Sequence, residues 1–314
     1  MRTNSAMPHP AARLMFFNIQ FSTNFQTSPF EEAKMTNQIK KFSRTSYFMT
    51  LIITILVCAA PPAANAQTRK SIPPTGTGNP LRELVSGYYF ASLATRALQD
   101  DDFDNPSSLW LDVGQNLWKK ADGQAAKSCA SCHGDAKDGL KGVGTRYPAY
   151  DKKAKTVINL EQRINLCRVS HMKAAPWGYE SKELLSITSH IKQFSRGLPV
   201  AVKIDGPAQA SFKRGKSFYY QRRGQLNMNC AQCHELSYGN RIRSDLLSQG
   251  HSNGFPTYRL KWQKVGSLHR RFKGCNKQVR AEPYKSGSRE YVDLELYLAW
   301  RGNGLNVETP AVRR

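Results

Sequence analysis

The sequence predicts an all-α fold built from two tandem copies of one helical unit. Three observations predict it. The pattern C-x-x-C-H occurs twice, as Cys129-Ala130-Ser131-Cys132-His133 and as Cys230-Ala231-Gln232-Cys233-His234. Fifteen residues before each motif the chain repeats Gly114-Gln115-Asn116-Leu117-Trp118 as Gly215-Lys216-Ser217-Phe218-Tyr219. After each motif, Arg163-x-x-x-Cys167 is matched by Arg271-x-x-x-Cys275, and an apolar stretch of helical spacing follows.

Taken in chain order, residues 1–66 read as a targeting segment. Lys40, Lys41 and Arg44 precede an apolar run from Tyr47 to Ala60, and Ala64-Asn65-Ala66 supplies a small-x-small cleavage pattern. That is the layout of a secretory signal peptide. The run is shorter than the ~20 residues of a membrane span, so no stable span is expected. Met35 is the more ordinary signal start, which makes residues 1–34 a candidate non-native upstream extension. Cleavage after Ala66 leaves 248 residues, and the expected location is the periplasm. Residues 67–80, rich in Pro, Gly and Thr, read as an extended N-terminal arm. The first helical unit is assigned to residues 81–197, a linker with Pro199, Gly206 and Pro207 to 198–210, and the second unit to 211–314. Leu184, Ile187, Ile191 and Phe194 mark the last helix of the first unit, and Tyr291, Leu294 and Leu298 that of the second. Both end on a basic residue and a glycine, Arg196-Gly197 and Arg301-Gly302.

C-x-x-C-H is the attachment signature of a c-type haem. Two thiols three positions apart reach the two vinyl groups of one porphyrin, and the adjacent histidine sits under the iron. The sequence therefore predicts two covalently bound haem c groups. Cys129, Cys132, Cys230 and Cys233 are the anchors, with His133 and His234 as proximal ligands. The units become cytochrome c-like domains of about 110 residues, small for an independent core, with the haem supplying apolar bulk. Trp110, Trp118, Trp177, Trp262 and Trp300 read as core or haem packing.

The sixth ligand decides the chemistry. Met172, His171 and His190 are available to the first iron, and His251 and His269 to the second; no Met follows His234. Two mature cysteines remain, Cys167 and Cys275, each four residues after an arginine. Their equivalent places favour thiolate ligation of each domain's own iron over a Cys167–Cys275 disulfide, which an oxidising compartment would permit. An arginine one helical turn before a thiol favours its thiolate and offers a planar fork to an oxyanion.

The 314 residues carry a formal charge of +23, of which +19 remains after residue 66. Mean hydropathy is −0.55, which excludes a multispanning membrane protein. The charge points to an anionic partner. Five Arg/Lys and one His cluster in residues 268–280 around Cys275. An exported haem protein makes nucleic acid a poor partner.

At these residues the chain resembles the SoxA family, the dihaem cytochrome subunits of SoxAX thiosulfate-oxidising complexes. The resemblance runs from about residue 80 to 310 and is most specific in Arg270-Arg271-Phe272-Lys273-Gly274-Cys275-Asn276-Lys277-Gln278-Val279-Arg280-Ala281-Glu282-Pro283. It implies an L-cysteine S-thiosulfotransferase that couples thiosulfate to a cysteine of a SoxYZ-like carrier, with electrons leaving through a SoxX-like monohaem cytochrome in a heterodimer. It implies Cys275 as both iron ligand and catalytic persulfide, Arg271 as the substrate-binding residue, and Cys167 as ligand of the first haem. A non-catalytic dihaem electron carrier and a tetrathionate-forming thiosulfate dehydrogenase are the alternatives.

Overall fold

The computed structural model describes residues 70–314; the signal segment lies outside the described residues. The helices that carry the fold are α1 Leu93–Asp100, α2 Ser108–Lys119, α3 Cys129–His133, α4 Leu160–Cys167, α5 Lys182–Gln193, α6 Gln209–Tyr220, α7 Cys230–His234, α8 Leu268–Gln278 and α9 Arg289–Arg301. Their starts are written in the sequence. Ser92, Ser128, Asn159, Ser181, Asn229, Ser267 and Ser288 each cap a helix by accepting a backbone N–H.

In each half a helix before the C-x-x-C-H motif packs on the half's last helix through a glycine. A Cβ on Gly114 of α2 would lie 2.3 Å from the Ser186 carbonyl oxygen of α5. A Cβ on Gly215 of α6 would lie 2.0 Å from the Asp293 carbonyl oxygen of α9. Neither pair of backbones tolerates a side chain there. Around these crossings the first core gathers Trp118, Leu160, Ile164, Leu184, Ile187 and Ile191. The second gathers Phe218, Tyr219, Phe272, Tyr291, Leu294 and Trp300 among others. Of the apolar positions expected at helical spacing, Leu184, Ile187, Ile191, Tyr291, Leu294 and Leu298 are buried, and Phe194, at the C-cap, is partly buried.

The halves agree in finer detail. Tyr147-Pro148 and Phe255-Pro256 are both cis. Each leads into an antiparallel hairpin: β1 Ala149–Asp151 with β2 Thr156–Ile158, and β3 Thr257–Arg259 with β4 Lys264–Gly266. The loops carrying Gly123 and Gly224 are clasped alike. Ala125 N donates to Met172 O at 3.1 Å, and Leu226 N to Val279 O at 3.3 Å.

The chain is less purely helical than expected. Short strands occur between the helices, most of them in two-stranded antiparallel pairs. A further strand, β5 Ala311–Arg313, runs parallel to β3 and completes a three-stranded sheet. The segment expected as a linker is a pinned strap up to residue 208, where α6 begins, with Val200 N bonded to Leu305 O and Val307 N to Leu198 O, both at 2.9 Å. The arm is fixed similarly: Ser71–Ile72 pairs with Leu84–Val85, and Asn79 Nδ2 donates to Arg301 O at 3.0 Å.

Between the halves lies a buried polar junction that holds α8. Gly287 N donates to His269 Nδ1 at 3.0 Å, so the ring's proton is on Nε2, which faces Glu295 at 3.0 Å. Tyr179 stacks on the ring at 5.0 Å between centroids. Asn159 Nδ2 also donates to Glu295, at 2.9 Å. Glu161 is buried beside this group. Burial and then the Glu295 charge push its carboxyl up to about 7, against the pull of His269 and Lys192.

A raised carboxyl pKa favours the folded state while the group is protonated, and that contribution is lost as pH climbs from about 4.5 through about 7. The melting temperature is thus expected to fall between pH 5 and pH 8 (a range chosen to span about 7). Glu161→Gln should flatten that fall by roughly 2–4 °C for each kcal/mol recovered. Thermal unfolding followed by far-ultraviolet circular dichroism checks this; parallel pH profiles for both proteins would contradict it.

Candidate functional site

In the first half the motif helix α3 is closed by a reciprocal cap between Ser128 and Ser131. Trp118 Nε1 donates to Gly134 O at 3.0 Å, and its ring lies 5.9 Å from that of His133. Cys167, at the end of α4, lies within electrostatic reach of Cys129, whose thiol is pushed up by burial and then by Cys167. Arg163, one turn before Cys167, is ion-paired with Asp151 at 3.2 Å.

The second half repeats the arrangement with different electrostatics. Asn229 and Gln232 form the same reciprocal cap on α7. His234 Nδ1 lies 2.7 Å from the Ser248 carbonyl oxygen. A carbonyl only accepts, so Nδ1 carries the proton and the lone pair is on Nε2. This is the second-sphere bond that orients a metal-binding histidine. Gly250, at φ +75°, packs on the ring: a Cβ there would lie 2.8 Å from His234 Cγ. His234 lies beside Cys275 and acts on its thiol.

Cys275 sits on α8 with Arg271 one turn earlier. Burial raises its thiol, but Arg271, His234 and Arg259 together outweigh it and bring the thiol down to about 7. Cys230 shows the opposite balance, pushed up to about 12 by burial and then by the neighbouring Cys275. A thiol at about 7 is about half ionised at neutral pH, and its thiolate is the nucleophilic, metal-binding form. Arg271 makes no ion pair with a carboxylate among the described residues, so its charge stays available.

The structure thus brings Cys129 and Cys167 together in one half, and Cys230, His234, Arg271 and Cys275 in the other. Cys167 and Cys275 are both free, and each sits with the motif of its own half. Of the other sixth-ligand candidates, His269 and His251 are engaged in hydrogen bonds or ion pairs of their own. His269 is held by Gly287 and Glu295, and His251 Nε2 lies 2.9 Å from Gln249 Oε1. His190 packs between Trp118 and Phe194. Met172 is buried, and the matching place in the second half is Val279, which cannot ligate. His171 is exposed on the turn after α4.

Sequence reasoning missed three contributors: Ser248, Gly250 and Arg259. Ser248 acts through its backbone and Gly250 through its lack of a side chain, so neither leaves a compositional signal. Arg259 does leave one. It stands at the same place before Arg271 as Asp151 does twelve positions before Arg163.

The donor set fits a covalently attached haem c. The paired thiols are free and sit on one short capped helix in each half. In the second half the adjacent histidine presents Nε2 toward a thiolate.

Comparison with known proteins agrees. Residues 113–200 match the family described as SoxA/TsdA, cytochrome c domain. The chain is 48% identical over 238 residues to the L-cysteine S-thiosulfotransferase subunit SoxA of Pseudaminobacter salicylatoxidans, covering 76% of this chain and 83% of that protein. It is 45% identical over 231 residues to the subunit of the same name from Rhodovulum sulfidophilum, covering 74% and 80% respectively. Its fold matches a chain in the crystal structure of SoxXA from P. pantotrophus with a TM-score of 0.75 at 43% identity, over 78% of this chain and 93% of that one. The chain belongs to the SoxA family, the haem c-bearing L-cysteine S-thiosulfotransferase subunits that act in thiosulfate oxidation.

Proposed function

We propose that the protein is a dihaem subunit with one reacting half. In this reading the two halves descend from one duplicated cytochrome c-like domain. The matched hairpins, cis prolines, glycine crossings and clasped loops support it. Cys129, Cys132 and His133 hold the first haem, and Cys230, Cys233 and His234 the second. Cys167 and Cys275 would supply a sulfur ligand to the first and the second iron respectively. When bound, each haem supplies an iron whose thiolate ligand donates electron density and opposes the high potential of a Met-ligated carrier.

The substrate is thiosulfate and the acceptor is a cysteine thiol on a SoxYZ-like carrier. A sulfur–sulfur bond forms between that cysteine and the outer sulfur of thiosulfate. The thiol S–H bond breaks and its proton goes to solvent. Two electrons leave to a SoxX-like monohaem cytochrome, which completes a heterodimer. The SoxXA title of the matched structure supports that partner.

Within this chain, Arg271 receives the anion and Cys275 is the reacting sulfur, carrying the extra sulfur of a persulfide. The observation that carries the assignment is the contrast between the halves. Arg163 is neutralised by Asp151, whereas Arg271 faces Cys275 with its charge free. The chemistry belongs to a periplasmic protein exported by the segment before residue 67.

Two variants test this. Cys275→Ser is expected to abolish thiosulfate transfer to the carrier cysteine while haem remains attached at Cys230 and Cys233, read by in-gel haem staining and by carrier mass. Normal transfer by that variant would overturn the assignment. Arg271→Lys keeps the charge but loses the two-pronged fork, and is expected to raise KM for thiosulfate about tenfold. An unchanged KM would remove Arg271 from substrate binding.

A further inference from the structure

In the first half, the hairpin β1–β2 pairs Asp151 with Thr156, and Asp151 neutralises Arg163 at 3.2 Å. The second half builds the same hairpin with Arg259 paired to Lys264. The place that holds an acid against Arg163 therefore holds another cation beside Arg271. Arg259 makes no ion pair with a carboxylate within salt-bridge distance among the described residues; Asp245 and the Cys275 sulfur act on it only from further off. Arg259 is flanked across the sheet by Lys264 on one side and Arg313 on the other. Like charges directly opposite one another destabilise a sheet.

The acids in reach are committed elsewhere. Glu308 is paired with Arg313. Asp245 is shared by Lys261 at 2.5 Å and Arg314 at 3.5 Å. The buried Nε of Arg259 has no acceptor. The guanidinium is nevertheless held in place, 5.1 Å from the Trp262 ring, with Arg270 at 4.7 Å from the same ring. The Trp262 ring rests on Gly266, where a Cβ would lie 2.5 Å from it. Burial and the Arg271 charge pull the Arg259 guanidinium down to about 10, and the Cys275 thiolate is among the few groups opposing that shift. An ordered cation with an unsatisfied donor, a cationic neighbour and no carboxylate of its own needs an anion.

We propose that Arg259 is a second substrate-binding residue, forming with Arg271 a two-guanidinium seat that holds the sulfonate end of thiosulfate beside Cys275. The inference rests on the reading of Cys275 and Arg271 given above and deepens it. A dianion meets two positive charges rather than one, and the planar forks give it a fixed orientation. The same substitution explains why only one half reacts. Asp151 closes the first half's arginine to anions, and Arg259 opens the second's.

The test uses the mature haem-loaded protein and equilibrium dialysis of thiosulfate. Arg259→Gln is expected to weaken thiosulfate binding about 10- to 100-fold and raise KM by a similar factor, with kcat less affected. Arg259→Asp, which copies the first half, is expected to abolish binding. Because one of three aligned cations is removed, Arg259→Gln should melt at or above the wild-type temperature. Its haem content, absorption spectrum and reduction potentials should be unchanged.

Wild-type thiosulfate affinity in Arg259→Gln would overturn the proposal. So would a spectral or potential shift with unchanged affinity, which would assign Arg259 to the haem. Failure of that variant to fold would also overturn it, by showing a structural role. If wild-type protein neither binds thiosulfate nor transfers it to a carrier cysteine, the underlying functional reading fails instead.

Discussion

A thiolate and an imidazole have to meet from helices that the chain places 41 residues apart. Most of the second half can be derived from that requirement. The histidine comes from α7, a five-residue helix too short to hold itself. It is kept by the Asn229–Gln232 cap at one end and by the Ser248 carbonyl behind the ring. Gly250 lets the chain pass directly over the imidazole. The cysteine comes from α8, which the buried junction of His269, Glu295, Asn159 and Tyr179 ties to the first half. The position of the reacting sulfur thus depends on residues in both halves.

Electrostatics separate two sites that share a backbone. Each has a motif helix, an arginine one turn before a cysteine, and a hairpin ending beside that arginine. In one the hairpin supplies Asp151, and the arginine is consumed in an ion pair. In the other it supplies Arg259, and the charge is directed at the cysteine. Burial alone would keep the thiol protonated; the surrounding cations offset that penalty and bring it down to about 7. One divergent hairpin position leaves Arg163 ion-paired with Asp151 and puts a second cation near Cys275 in the other half.

Much of this was legible in the sequence because covalent chemistry imposes fixed spacing. The grouping of Cys129 with Cys167, and of Cys230, His234 and Arg271 with Cys275, follows from the motifs and from the repeat. The apolar faces of α5 and α9 follow from periodicity, and the glycine crossings from Gly114 and Gly215. The short strands were not legible, since strands of two or three residues have no periodicity to read. Nor was the binding of the strap and arm to the segment 301–307, which is backbone pairing without a side-chain pattern. Ser248 works through a carbonyl that any residue could supply. Arg259 was hidden for a different reason: the repeat was aligned on what it conserved, and this position matters because it changed.

The proposal that a cysteine sulfur and a histidine nitrogen would ligate each iron is tested most directly by iron X-ray absorption of the purified ferric protein. The account predicts one axial sulfur and one axial nitrogen per iron. Two axial nitrogens at the second haem, with no sulfur in its iron's first shell, would contradict it.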